Sequence, residues 1–315
     1  MKRAAGFLAA FSLCASVRLA AAQSAGGDPF NFLFLDANAR AVALGGAYTA
    51  LATDSNALLY NPAGLARRTY HEATFMHNQY FQGISQDYVA YAASQGWGVT
   101  VNRFDFGSIQ RTTISNPDGG IGSASMSDLA VSLGYGRALT RELCVGGGLK
   151  TIRESNSGVG AHSYALDAGL MYYMPLIEGL VFGAAIQNIG PSVRFQSDTE
   201  HLPLNFRAGS AYTFKAFHHY NSVALDLSKE RVDATVVAIG METVLADAVP
   251  IRFGFTTRNQ AGPGVTAGLG WTLKRLSFDY AFVPFGTLGI THRISLTARW
   301  GGSLRTLRPE TAGVP

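Results

Sequence analysis

A chain of 315 residues with only 15% charged residues, 36 glycines, 13 tyrosines and 19 phenylalanines has the turn-rich, broadly apolar usage of a β protein. Its formal charge of +4 includes Lys2, Arg3 and Arg18; without those three, 22 basic residues stand against 21 acidic ones. A near-neutral chain of this kind excludes a nucleic-acid-binding surface.

Residues 1–22 follow the pattern of a cleaved secretory signal: Lys2-Arg3, an apolar core over 4–17, and Ala20-Ala21-Ala22 before Gln23. Cys14 leaves with that leader, so Cys144 is the single mature cysteine and an internal disulfide is excluded. Cys144 lies in a Gly-rich strand pattern and reads as a small structural residue, lacking the electropositive, exposed setting of a reactive thiol. After the leader no run of eighteen apolar residues occurs, which rules out a spanning helix. An exported chain of this type is either soluble or a β-barrel, since only helices and closed barrels satisfy every backbone group in lipid.

Residues 24–30 form a Gly-rich lead-in, and 30–35 are apolar enough to dock. Residues 36–66, DANARAVALGGAYTALATDSNALLYNPAGLA, differ from everything that follows. Ala39, Val42, Ala43 and Ala50 recur at roughly helical spacing, Gly45-Gly46 break the pattern, and Asn61-Pro62 with Gly64 close it. Asp54-Ser55-Asn56 predicts a second short helix with a side-chain cap. The local pattern also fits a helical hairpin packed on a soluble sheet. If the later strands close into a barrel, this stretch becomes its plug, assigned to residues 23–68. Arg40, Gly45, Gly46, Asp54, Asn61, Pro62 and Gly64 are then the plug residues of interest.

The remainder, 69–302, reads as fourteen strands centred on 73–77, 86–93, 97–104, 128–137, 143–152, 163–174, 180–188, 202–214, 221–228, 234–243, 251–257, 265–273, 276–283 and 290–300. The first three and the tenth alternate least cleanly. An even number of strands of about ten residues suits a closed antiparallel transmembrane barrel. In the last strand Ile290, Ile294, Leu296, Ala298 and Trp300 share one parity, against Thr291, Arg293, Ser295, Thr297 and Arg299 on the other. Leu276, Phe278, Tyr280 and Phe282 oppose Ser277, Asp279 and Ala281; the strands at 204–214, 251–256 and 265–273 repeat the pattern. Charge falls on the small, polar parity, and the bulky parity ends in Tyr212, Trp271 or Trp300, where an aromatic girdle belongs. An Arg or Lys on a lipid face at mid-bilayer costs about 2–4 kcal/mol, so this placement favours lipid over a second sheet. The long linkers 105–127 and 190–201 read as outward loops, 139–141 and 274–275 as short turns, and 303–315 as a flexible tail.

Little here points to catalysis. The glycine runs 146–148 and 262–270 lack the Lys-Ser/Thr and helix of a phosphate loop, and are read as sites of bending or close backbone approach. His218 and His219, adjacent on a strand, would point to opposite faces and hold no metal. No Gly-x-Ser-x-Gly elbow is present. Arg207, Asp226, Arg252, Asp279, Arg293 and Arg299 are expected to face the lumen. Buried charges need partners, so plug anchoring, in which these charges pair with one another or with Asp36, Arg40 and Asp54, is the first reading and ligand binding the second.

The motifs Ala39-Arg40-Ala41, Gly45-Gly46-Ala47, Ala52-Thr53-Asp54 and Asn61-Pro62-Ala63-Gly64-Leu65 occur in the order of the N-terminal signature of the PorV/PorQ family, within the wider FadL-like superfamily. The ending Thr291-His292-Arg293-Ile294-Ser295-Leu296 is also similar to that family's last strand. The resemblance implies a fourteen-stranded barrel with an N-terminal plug in the bacterial outer membrane, non-enzymatic and without a cofactor, moving hydrophobic small molecules. It implies as alternative a type IX secretion role, binding or shuttling exported proteins. The expected partners are outer-membrane lipid with hydrophobic solutes or secreted proteins, and the expected state is a monomer.

Overall fold

The computed structural model describes residues 30–156, 159–195, 198–231 and 234–302. The leader 1–22 and the tail 303–315 read from the sequence lie outside the described residues. Fourteen antiparallel strands close on themselves. In chain order they begin with β1 (His71–Gln79), β2 (Ser85–Ala92), β3 (Trp97–Gln110), β4 (Ser123–Ala138), β5 (Leu143–Asn156), β6 (Val159–Tyr173) and β7 (Leu180–Ile189). A two-stranded hairpin, β8 (Val193–Phe195) and β9 (Asp198–Glu200), interrupts the wall. The wall resumes with β10 (Asn205–Ala216), β11 (His219–Glu230), β12 (Val236–Leu245), β13 (Val249–Thr256), β14 (Val265–Leu273), β15 (Leu276–Pro284) and β16 (Ile290–Trp300). Each barrel strand pairs with its sequence neighbour, β7 pairs with β10, and β1 pairs with β16 to complete the ring. The register His71↔Trp300 brings the first and last wall residues together.

Alternation sets the two faces. In β16 the odd residues Thr291 to Thr297 are buried, while Ile290, Ile294, Leu296 and Trp300 are exposed. Phe253, Phe255, Val265, Leu269, Trp271, Leu276 and Phe278 continue that exposed apolar band. Aromatic rings gather on it near the end where β1 starts and β16 stops, called here the termini end. There Trp300 stacks on His71 and Tyr91, which in turn contacts Trp97. Connections at this end are brief; Phe217-His218 and Ala246-Asp247 take positive φ in tight turns, the twist that tight hairpins favour. The opposite, loop end carries the longer connections, including 111–122 and 190–204.

Several expectations need correction. β3 and β4 extend to Gln110 and from Ser123, so much of the loop expected over 105–127 is strand. The linker 190–201 contains β8 and β9. His218 sits in a turn and not on a strand. Charge does not fall on the inward parity alone: His77 pairs with Asp87 at 2.8 Å and Arg103 with Asp105 at 3.1 Å on the exposed face of β1–β3. Those are the strands whose alternation was weakest, and their polar stretch lies toward the loop end.

Helix is scarce. Ahead of β1, α1 (Ala39–Ala43) and α2 (Ala57–Tyr60) are about one turn each, with 3-10 turns at Asn31–Phe34 and Pro62–Leu65. Asn38 caps α1 by accepting from the Arg40 amide at 2.7 Å. The cap expected from Asp54-Ser55-Asn56 does not form, because α2 starts after Asn56 without a side-chain cap bond. The side-chain bond falls one turn earlier, Asp54 Oδ1 accepting from the Asn56 amide at 3.0 Å, while Asp54 Oδ2 and the Ser55 hydroxyl bond to Tyr48 and Thr74.

Candidate functional site: the N-terminal segment and the lumen wall

Of residues 37–65, only Arg40, Leu51, Thr53 and Leu59 fall short of full burial. Two local features let the chain fold tightly enough for this. Gly45 and Gly46 take φ of 69° and 82°, a backbone that side chains rarely tolerate. Gly64 leaves no space for a Cβ against the Ala52 carbonyl. Asn61 locks the far end: its amide donates to the carbonyls of Leu170 (2.9 Å) and Thr49 (3.1 Å), and its oxygen accepts from Ala63 N. Pro62 follows at the first position of a 3-10 turn, where its missing N–H costs nothing.

The partners of this segment trace a circuit of the ring. Ser295 Oγ on β16 accepts from Ala39 N at 2.8 Å, and the Thr266 hydroxyl on β14 donates to the Ala43 carbonyl at 3.0 Å. On β12 a Cβ at Gly240 would lie 2.7 Å from the Leu44 carbonyl oxygen, and on β7 one at Gly183 would lie 2.6 Å from that of Thr49. Gly254, Gly169 and Gly146 meet Gly45, Asn61 and Pro62 just as closely. These wall glycines, scattered through the strands, supply flat surface for backbone-on-backbone packing.

Charged side chains make the other kind of contact. Arg40 Nε and Nη2 donate to the two Glu242 oxygens at 3.0 and 2.8 Å, a bidentate pair. Arg252 Nε donates to Glu242 at 2.5 Å, and its Nη1 to Asp279 at 2.6 Å. Arg40 Nη1 also donates to the Tyr48 hydroxyl, which donates to Asp54. Asp226 Oδ2 accepts from the amides of Tyr48 and Thr49 and from the Thr49 hydroxyl at 2.6–3.0 Å. Arg207 donates to the Gly46 carbonyl and Thr49 hydroxyl, and stands over the Tyr60 ring. Arg293 donates to the carbonyl of Asp36 at 2.9 Å, and Arg299 to Glu72 at 2.6 Å. Burial works against the Arg40 charge, but Glu242, Tyr48 and Asp54 together offset it and hold the guanidinium well above its usual range. Burial pushes the Asp54 carboxyl up, Glu72 adds to the rise, and Arg40 and the Tyr48 hydroxyl oppose it.

The six wall charges read from the sequence are therefore turned inward, though not all of them touch the segment. Arg207, Asp226 and Arg293 do so directly. Arg252 and Asp279 reach Arg40 through Glu242, while Arg299 acts through Glu72, which accepts from Ser55 N at 2.6 Å. Glu242 and Glu72 were missed. Glu242 is legible in hindsight as the third member of the small parity Ala238, Gly240, Glu242, set against Val237, Ile239 and Met241; Glu72 lies in a strand without clean alternation.

At the termini end the segment roofs a cavity of about 470 Å³. Arg40, Asp54, Glu72, Glu242 and Arg299 give it one polar side, and Tyr173, Ile177, Val181 and Val244 an apolar one. Cys144, buried beside Ala63, Met171 and Tyr173, is a packing residue. No cluster of three potential metal ligands occurs among the described residues.

Residues 5–169 match the model of the family described as "Uncharacterised protein family (UPF0164)". A UPF0164 protein of Treponema pallidum (strain Nichols) is 27% identical over 180 residues, 51% of this chain and 44% of that protein; the chain thus spans less than half the length of that relative. Among solved structures, the toluene transporter TbuX of Ralstonia pickettii aligns with TM-score 0.56 and 14% identity, over 84% of this chain and 97% of that one. The toluene transporter TodX of P. putida gives 0.55 and 14%, over 85% and 99%. A FadL homologue of Pseudomonas aeruginosa gives 0.51 and 12%, over 84% and 98%. At such identities the likeness is one of fold.

Proposed function

This chain belongs to the UPF0164 family, and from that premise we propose that it is a non-enzymatic outer-membrane barrel that moves small hydrophobic molecules across the membrane, with residues 23–68 as a plug in its lumen. Residues 1–22 act as the export signal, 69–302 as the wall and 303–315 as a tail. The signature motifs, which resemble those of the PorV/PorQ branch of the FadL-like barrels, support this reading. The observation that carries the reading is the circuit of inward contacts from β16 round to β4 made by a segment with only single helical turns of its own. A segment so placed blocks the lumen, and passage requires it to shift. Arg40, Asp54 and Asn61 hold it, and Arg207, Asp226, Arg252, Asp279, Arg293 and Arg299 serve as its anchors. The partly apolar cavity below it receives the solute, and monoaromatic hydrocarbons, carried by the toluene transporters of like fold, are the first class to try.

The test is uptake of labelled toluene into proteoliposomes. The reading predicts faster equilibration than in liposomes holding an unrelated closed barrel, and equal rates contradict it. If a deletion strain instead takes up hydrophobic solutes normally but loses secreted proteins from its surface, the secretion-associated role replaces this one.

A further inference from the structure

The inward faces of β1 and β16 differ from the rest of the lumen wall. The four inward residues of β1 are Glu72, Thr74, Met76 and Asn78, each essentially inaccessible. The five of β16, at alternate positions from Thr291 to Arg299, are all polar. Met76 is thus the single apolar step in a polar strip running the height of the barrel. Below Met76 the strip is hydrogen-bonded through: Ser55 to Thr74 at 2.8 Å, Thr74 to Thr297 at 2.9 Å, and Glu72 to Arg299. Above it Arg293 donates to Tyr80, Tyr80 to Gln86, and Gln86 to Asn102.

Four groups along this strip are at least nine-tenths buried and have no hydrogen-bond partner among the described residues: the hydroxyls of Tyr88 and Thr291, Asn102 Nδ2 and Arg293 Nε. They belong to adjoining strands, since Tyr88 pairs in register with both Met76 and Asn102. Buried donors and hydroxyls are seldom left unmet in folded proteins, and the usual partner in a polar seam is water. Elsewhere on the ring the segment meets glycine and alanine or paired charges such as Glu242 and Asp226, without a continuous polar strip of this length.

We propose that the seam between the N-terminal segment and β16, β1 and β2 is a water path, connecting the loop end with the lower cavity and narrowed at Met76. Water passes with the segment in place, by a route separate from that proposed for hydrophobic solutes. Met76, packed with Ala37, Tyr88 and Ala90, acts as a hydrophobic constriction that hydrated ions do not cross.

Osmotic shrinkage of proteoliposomes by stopped-flow reads the path, together with K+ conductance in planar bilayers. The wild type is expected to pass water with negligible K+ conductance, and Met76→Ser to raise water permeability at least threefold and open a K+ conductance. Adding Thr74→Val and Thr297→Val to Met76→Ser is expected to abolish that gain. Conductance that persists in the triple variant means the segment has been displaced, and overturns the seam, as does Met76→Ser behaving like wild type. If Met76→Ser fails to fold, Tyr88→Phe, which keeps the ring and removes one unmet hydroxyl, is expected to slow water about twofold; an unchanged rate overturns the proposal. Toluene uptake by the same vesicles separates this outcome from failure of the transport reading, since Tyr88→Phe leaves uptake unchanged.

Discussion

The N-terminal segment is held in two physically different ways. Around Leu44, Thr49, Asn61 and Pro62 the wall offers glycines, and the segment's own backbone lies against the strands. Around Arg40 and Tyr48 the wall offers Glu242 and Asp226, and ionised hydrogen bonds make the join. The first flank gains from close packing, and one added carbon spoils it. The second is tolerable only while every charge keeps its partner, because a buried pair contributes little net stability but is costly to break. On the proposed transport reading the two serve different ends, one fixing the segment's position and the other giving it a discrete, releasable lock.

The largest effect is expected at Glu242, which serves Arg40 and Arg252 together. Glu242→Ala removes the carboxylate that Arg40 and Arg252 share, leaving Arg252 with Asp279 and Arg40 with only the more distant Asp54, with an expected loss of about 3–5 kcal/mol, read as earlier thermal unfolding in detergent. Next comes Gly254→Val, which drives a side chain into the Gly45 backbone at a cost of about 1–3 kcal/mol. A greater loss at Gly254 than at Glu242 would invert the ranking of the two flanks. Asn61→Ala removes donors to two carbonyls and is expected to cost about 1–2 kcal/mol, with faster proteolysis of the segment as the sharper readout.

The smallest effect concerns pH. Asp54 has its folded pKa raised, chiefly by burial. A raised pKa means the fold favours the protonated form, so the stability linked to Asp54 is present below the ordinary carboxylate value of about 4 and declines as pH rises through the raised value. Asp54→Asn is expected to flatten that decline, seen as a smaller difference in unfolding midpoint between acidic and neutral buffer. An undiminished slope assigns the effect to another group.

How much of this was legible beforehand follows from periodicity. Strands such as β15 and β16 show a period of two with Asp or Arg on one parity, and their spans and inward residues were readable to within a residue or so. β1–β3 carry His77, Asp87 and Arg103 on the outer face, so parity gave no clean assignment and Glu72 went unnoticed. In the segment, Gly45-Gly46 and Asn61-Pro62 announced turns because their chemistry is local. Which strand each turn would meet was not readable: the partners Ser295, Thr266 and Gly240 lie about 200 residues or more away, and a glycine in a strand does not say which backbone will lie on it. Asp226 does pair with Arg207 at 3.5 Å, as opposite inward charges were expected to; that it also accepts from the backbone amides of Tyr48 and Thr49 is hidden for the same reason.

The most direct measurement locks the segment to the wall. The Ala39 amide donates to the Ser295 hydroxyl at 2.8 Å, so the two positions are neighbours, and Ala39→Cys with Ser295→Cys, in a Cys144→Ala background, is the pair chosen to tie α1 to β16, with bond formation checked by thiol titration. With the bond formed, toluene uptake into proteoliposomes is predicted to fall to the level of protein-free vesicles and to recover on reduction. Uptake that proceeds equally with the bond formed and reduced would contradict the account.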